Sequence, residues 1–211
     1  MLRIWGRKNS INVQKAMWAI AETGVAHERI DAGGTFGGLN TPEFLAKNPN
    51  GLIPTIDDDG VVVWESQAIV RYVAARYGAG SIWPEDPAER AKADEWMEWN
   101  SSTLQPALMG VFMNVWRTPE FRRNPQLIRN LVSRCGQIML FLNKHLENSP
   151  YIAGGKFTMG DIPAGTMLYR YFELDIERPH VPHVSAWYSR LQERSPFRNS
   201  VMISFEDLKG Q

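Results

Sequence analysis

The residues of this chain that could do chemistry cluster in one stretch, "NPNGLIPTIDDDGVVVWESQAIVRYVAARYG", Asn48 to Gly78. Pro54 stands at the entrance to a strand, where it removes a backbone donor. Glu65 and Ser66 stand where the next helix begins. A cis bond before Pro54 would turn the chain sharply and leave the N–H and C=O of Ile53 unpaired at a sheet edge. Such an edge accepts an extended peptide as an added strand. Ser66, at a helix N-terminus, offers free amides and the positive end of a dipole to a carboxylate. Glu65 beside it offers a negative charge to an ammonium. A peptide-binding edge that ends in a receiver for both charges of a zwitterion suits a small peptide with a free α-amino acid head. Each piece alone has a plainer reading: serine before a helix is usually a cap, and a lone glutamate is usually solvated. The order and spacing of the pieces carry the inference.

The elements that must position these residues are legible around them. "LRIWG" reads as a strand, and Asn12 to Thr23 as a helix with Val13, Ala16, Met17, Ile20 and Ala21 on one face and Gly24 as its stop. "AHERID" reads as a second strand. "TPEFLAK" opens a short helix with Thr41 as cap and Pro42 at its first position. "DDDG" is a hairpin turn before the strand Val61–Trp64, and Ile69, Val70, Val73, Ala74 and Tyr77 recur at helical spacing. The order βαβαββα makes residues 1–78 a compact α/β unit. Residues 79–86 read as a linker rich in Gly and Pro. Residues 87–211 read as all helical, with amphipathic runs from Pro87 to about Val115 and from Pro125 to His145, a helix starting near Thr158 and another over Val184–Arg194.

Composition narrows the function. The 211 residues are 44% hydrophobic and 22% charged, and 23 Lys and Arg balance 23 Asp and Glu, so no nucleic-acid or other polyanionic partner is expected. No apolar run approaches the roughly 18 residues of a membrane span, and "MLRIWGRKNS" lacks the apolar core of a signal peptide, so a cytoplasmic protein is expected. Four histidines do not take metal-ligand spacing, and neither "AGGTFGG" nor "AGGK" is a nucleotide-binding fingerprint; neither metal nor nucleotide is expected. The single cysteine, Cys135, excludes an intrachain disulfide and a CxxC pair and lies on the apolar face of its helix. In "FTMGDI", Thr158 and Asp161 form a capping box, with Phe157 and Ile162 at the staple positions. Gly160 and Pro163 are poor residues for a first turn, and the sequence offers no account of them.

With these motifs together, the whole chain resembles a bacterial cytosolic glutathione S-transferase, of a serine-type (theta- or nu-like) kind. "NPNGLIPTI" followed by "WESQAIVRYVAARYG" resembles the glutathione-binding signature of that family, and "FTMGDIPAG" resembles the capping-box signature of its helical domain. The resemblance implies a thioredoxin-like N-terminal domain followed by an all-helical bundle. It implies glutathione as co-substrate, a small hydrophobic electrophile as its partner in reaction, and a homodimer joined through the helices Ser66–Tyr77 and Pro87–Val115. It makes Pro54 the family's cis-proline, pairs the Ile53 backbone with the cysteinyl residue of glutathione, gives Glu65 and Ser66 the γ-glutamyl head, and counts Asn9 and Leu52 among the glutathione-binding residues. The electrophile is expected between the two halves, near Phe112, Val115 and Trp116.

The residue that meets the glutathione sulfur follows the first strand in this family. No early Tyr or Cys is present, and what stands there is "GRKNSINVQKAMW". Matching the helix that follows to the first helix of serine-type members puts Ser10 at the catalytic position. Asn9 and Asn12 are also short, polar and at the helix start, and all three remain open. A free thiol of pKa near 8.5 is only about 3% ionised at pH 7, and lowering it to about 6.5 needs roughly 2.7 kcal/mol. One hydrogen bond to a charged acceptor supplies about 1.5–3 kcal/mol, and a helix N-terminus about 0.3–1 kcal/mol, so a single hydroxyl or amide donor suffices. The same fold also accommodates glutathione-dependent isomerases, peroxidases, disulfide reductases and dehalogenases, and non-catalytic binding modules. An intact Pro54, Glu65 and Ser66 argue against the last.

Overall fold

The structure, a computed structural model, describes residues 1–210. Two compact units emerge. One comprises Met1–Glu85 and Pro196–Ile203, the other Asp86–Ser195 and the segment from Ser204 onward. The sequence reading differs on two points: residues 79–85 belong to the first unit, and so does a short piece near the C-terminus. Burial of Phe197 and Val201 ties the second to that unit. Phe197, on the short helix Ser195–Ser200, buries its ring edge-on against Trp18 at 4.8 Å.

The first unit has strands β1 (Leu2–Trp5), β2 (His27–Ile30), β3 (Thr55–Asp58) and β4 (Val61–Trp64) in the order β2-β1-β3-β4. β1 and β2 run parallel, and the other pairings are antiparallel. Helices α1 (Ile11–Thr23), α2 (Pro42–Lys47) and α3 (Ser66–Tyr77) complete the expected βαβαββα order. α1 packs against α3, and Val13, Ala16, Ile20, Ile69, Val70 and Val73 are fully buried, as are Ile4 and Ile56 of the sheet. Gly6 makes the first crossing possible. A Cβ there would lie 2.4 Å from Val13 Cγ2, so only glycine lets the end of β1 pass this close to α1.

The hairpin turn is tighter than "DDDG" suggests. Asp57 and Asp58 lie within β3, and only Asp59 and Gly60, both at positive φ, form the turn, as a two-residue loop requires. The strand tolerates both carboxylates because each is held. Asp57 accepts from Lys47 Nζ at 2.7 Å and from the Gly60 N–H at 2.9 Å; Asp58 accepts from the hydroxyls of Tyr72 and Tyr77 at 2.7 and 2.6 Å.

The second unit is helical. α4 (Pro87–Trp99) and α5 (Gln105–Phe112) are one long helix joined through a π-helical stretch at Asn100–Leu104 and continued by another at Met113–Arg117. Pro106 lacks the N–H that the preceding turn would need and crowds its carbonyl, which accounts for the first irregularity. α6 (Pro125–His145), α7 (Asp161–Glu173) and α8 (Pro182–Gln192) follow, and Ser195–Ser200 is α9. Asp86 and Asn124 cap α4 and α6. No described helix is long and apolar enough to cross a membrane.

The capping box forms as the sequence suggests. Asp161 Oδ2 accepts the Thr158 N–H at 2.9 Å, and Thr158 Oγ1 accepts the Gly160 N–H at 3.3 Å. The structure also explains the two awkward residues. A Cβ on Gly160 would lie 2.9 Å from Ala93 Cα of α4, so glycine there allows α4 to approach. Pro163 is the third residue of α7, where a backbone N–H has no partner within the helix.

Candidate functional site

The site begins with the loop before β3. Asn48 is buried and organises it: its Nδ2 donates to the Leu52 carbonyl at 2.8 Å and to Thr55 Oγ1 at 3.0 Å, while its Oδ1 accepts the Asn50 N–H at 3.0 Å. Asn48 was not among the residues expected to matter, although "NPNG" carries the signal of an Asx-type turn. The loop delivers Leu52, 60% exposed, and half-buried Ile53 to the end of β3. The Ile53–Pro54 peptide is cis. Neither the N–H nor the C=O of Ile53 has a hydrogen-bond partner among the described residues. They do not lie at a lateral edge of the sheet, as the sequence reading had it. β3 is central, with Thr55 opposite Trp5 on one side and Trp64 on the other, and Ile53 stands beyond the end of the ladder.

Glu65 and Ser66 follow directly on β4. Glu65 is exposed and has φ 69° and ψ 117°, a conformation that costs a non-glycine residue on the order of 1–3 kcal/mol and is concentrated at ligand clamps. Its side chain makes no capping bond to α3. Ser66 is the first residue of α3 and is buried; its hydroxyl points toward α1, 3.5 Å from Asn12 Oδ1. Neither residue is spent on capping its own helix.

Three polar residues were open at the start of α1. Ser10 occupies the N-cap position, with φ −82° and ψ 121°, yet its side chain makes no capping bond. Its hydroxyl has no hydrogen-bond partner among the described residues. Asn9 is half-buried and engaged within the protein. Asn12 is tied down: its Oδ1 accepts from Lys15 Nζ at 3.1 Å and faces the Ser66 hydroxyl. α1 and α3 therefore bring Asn12 and Ser66 together, while Ser10 stands at the tip of α1.

Lys15 was missed by the sequence reading. It is fully buried on α1, and burial lowers its pKa to about 7, with Glu65 opposing the shift. The sequence carries a faint sign of it. Ile11, Lys15, Trp18 and Ala19 recur at helical spacing, and the other three are buried apolar residues.

The three residues expected at the electrophile separate. Phe112 is enclosed in the helical unit, edge-on to Phe205 at 5.6 Å and beneath the Arg170 guanidinium at 4.5 Å. Trp116 packs on Phe205 at 5.1 Å and donates its indole N–H to the Phe205 carbonyl. Val115 lines a cavity of about 670 Å³ whose wall also includes Ile128, Val132, Ile176 and Pro179; the other two do not line it. Cys135 is buried as expected, and burial pushes its thiol up to about 11. Among the described residues no group of His, Cys, Asp and Glu could hold a metal ion.

Comparison with known proteins agrees with this geometry. Residues 1–75 match the family model for the glutathione S-transferase N-terminal domain, and residues 104–195 match that for the C-terminal domain. The chain is 38% identical to glutathione S-transferase GstB of Escherichia coli K12 over 205 residues, covering 96% of this chain and 99% of the relative. It is similar in structure to the theta-class glutathione S-transferase of Xanthomonas axonopodis pv. citri, solved with glutathione bound. That match has a TM-score of 0.92 and 46% identity, over 96% of this chain and 98% of that one. A delta-class glutathione transferase of Nilaparvata lugens shares the fold at a TM-score of 0.87 and 23% identity, over 99% of this chain and 98% of that one. The chain belongs to the glutathione S-transferase family.

Proposed function

We propose that this protein is a glutathione transferase that binds glutathione at the end of β3 and the start of α3, stabilises its thiolate with Ser10, and adds the sulfur to a small hydrophobic electrophile. The observation that supports Ser10 over Asn9 and Asn12 is its hydroxyl, which sits at the N-terminus of α1 and has no partner among the described residues. The Asn12 side chain is already held by Lys15, and Asn9 already interacts within the protein, with its Oδ1 buried. The unpaired backbone groups of Ile53 suit the cysteinyl residue of glutathione, with exposed Leu52 beside them. The first turn of α3 and the Ser66 hydroxyl suit the α-carboxylate of the γ-glutamyl head, and exposed Glu65 suits its ammonium.

The chemistry is economical. The thiol gives its proton to solvent, and the Ser10 O–H donates to the remaining thiolate. The sulfur lone pair forms the new C–S bond, and the electrophile expels its leaving group or takes up a proton at the adjacent atom. Serine stabilises charge and forms no covalent bond. Retention on glutathione resin tests binding, and assay of a panel of aryl halide, hydroperoxide and isothiocyanate substrates tests the reaction. Turnover of the hydroperoxide alone would favour a peroxidase instead. We also infer a cytoplasmic homodimer. β4, at the sheet edge, exposes Val61, Val62 and Trp64, which a second copy would cover. Sedimentation of a 24 kDa species at micromolar concentration would overturn the dimer.

A further inference from the structure

Lys15 has no role in the reaction as described. A fully buried lysine is uncommon, because its ammonium must be desolvated. Here the ammonium donates to Asn12 Oδ1 at 3.1 Å, and the same oxygen faces the Ser66 hydroxyl at 3.5 Å. Lysine only donates, so it fixes which end of the Asn12 amide faces inward. The oxygen is held between α1 and α3, and the amide nitrogen is turned away from Lys15. The chain of contacts runs Lys15, Asn12, Ser66, and ends on the hydroxyl assigned to the glutamyl carboxylate.

We propose that Lys15 is a positioning residue of the glutathione site, whose buried ammonium holds Asn12 and Ser66 in place and offers the glutamyl carboxylate a positive charge it does not touch. The proposal rests on the glutathione site described above. It has a consequence for protons. Burial brings Lys15 down to about 7, and the charged group acting on it is Glu65, at the start of α3, which opposes the shift. The first turn of α1 carries no acidic residue. A carboxylate arriving at buried Ser66 adds negative charge near Lys15 and strengthens its hold on its proton, and the ligand's ammonium, placed at exposed Glu65 where solvent screens it, offsets this only in part. Ligand binding and protonation of Lys15 are therefore linked, and binding above neutral pH draws a proton from solvent.

The probe is S-methylglutathione, whose blocked sulfur cannot release a proton of its own. Calorimetric titration at pH 8, in two buffers of different ionisation enthalpy, reads the protons taken up. The wild type is expected to take up about 0.4 proton per ligand at pH 8, if the ligand raises Lys15 from about 7 by one unit. Its affinity should be about fivefold weaker at pH 8 than at pH 6, if the ligand raises Lys15 by one unit. Lys15→Met, close in volume, should bind more weakly at pH 6 and lose the extra proton uptake. The ligand's own amino group titrates alike against both proteins, so the difference between them reports Lys15. Equal proton uptake and equal pH dependence in wild type and Lys15→Met would overturn the proposal while leaving the glutathione site standing. Failure of the wild type to bind the probe at any pH would overturn the site itself, and Lys15's role with it. The wild-type pH profile alone keeps the proposal open to refutation if Lys15→Met does not fold: affinity that does not fall between pH 6 and pH 8 refutes it.

Discussion

The indole N–H of Trp187 donates to Oδ1 of Asp161 at 3.0 Å, in the interior of the helical unit. The same carboxylate accepts the backbone N–H groups of Ile152 and Thr158, both at 2.9 Å. One fully buried side chain thus joins α7, α8 and the loop before α7. Three N–H donors favour its charged form, but burial outweighs them and pushes the carboxyl up to about 7.

Asp161→Asn should therefore destabilise the fold. An amide keeps one acceptor oxygen but turns an NH₂ group toward an N–H donor, and a buried donor left unpaired costs about 1–3 kcal/mol. The pH dependence has a definite sign. Folded Asp161 holds its proton more tightly than an unfolded carboxyl near 3.9, so its contribution to stability is fullest below about pH 4 and is lost as pH rises toward about 7. Urea denaturation of both proteins at pH 5 and pH 7 checks this: the wild type's advantage over Asp161→Asn should be larger at pH 5.

Gly160→Ala places a methyl 2.9 Å from Ala93 Cα. The neighbour is backbone, so α4 and α7 must move apart. Overpacking of this kind typically costs about 1–3 kcal/mol, which for a protein of this size is a fall in Tm of roughly 2–4 °C per kcal/mol. An unchanged melting temperature would mean that the two helices can separate freely.

Glu65→Ala and Glu65→Gly should both weaken glutathione binding by about tenfold or more, through loss of a charge-assisted contact. They should slow chemistry on bound glutathione less, because the glutamyl head lies away from the reacting sulfur and contributes uniform binding. They should differ in stability. With φ at 69°, alanine keeps the backbone strain and glycine relieves it, so Glu65→Gly should melt higher than Glu65→Ala despite its greater unfolded entropy. An unaltered dissociation constant for glutathione in both variants would remove Glu65 from the site.

Ser10→Ala should keep glutathione affinity within a few-fold, since Ile53, Glu65 and Ser66 are untouched. It should raise the pKa of the bound thiol by roughly one to two units, the equivalent of a lost hydrogen bond of about 1.5–3 kcal/mol. Activity at neutral pH should fall and partly recover at alkaline pH, where the thiol ionises unaided. Thiolate absorbance against pH for Ser10→Ala, Asn9→Ala and Asn12→Ala separates the three. If an asparagine variant shifts the pKa and Ser10→Ala does not, the serine assignment is wrong.

The amino-acid sequence by itself determined most of the fold and supplied the candidates for the site, because both are written in short-range patterns. Helical and strand periodicity, the proline at the start of β3, the Glu-Ser pair at the start of α3 and the Thr-x-x-Asp capping box are each set by neighbours within a few residues, and each appears where the pattern places it. The tertiary structure decided what depends on distant partners. Only the strand order shows that Ile53 tops a central strand and not an edge. Only the approach of α4 explains Gly160, and only tertiary packing, Phe197 on Trp18 included, assigns residues 196–203 to the first unit. Only the pairing of α1 with α3 sets Ser66 against Asn12. Lys15 is the sharpest case. A lysine beside Gln14 reads as a solvated residue of a helix surface. Its burial depends on what packs around α1, and the local pattern gives no more than its place in line with Ile11, Trp18 and Ala19.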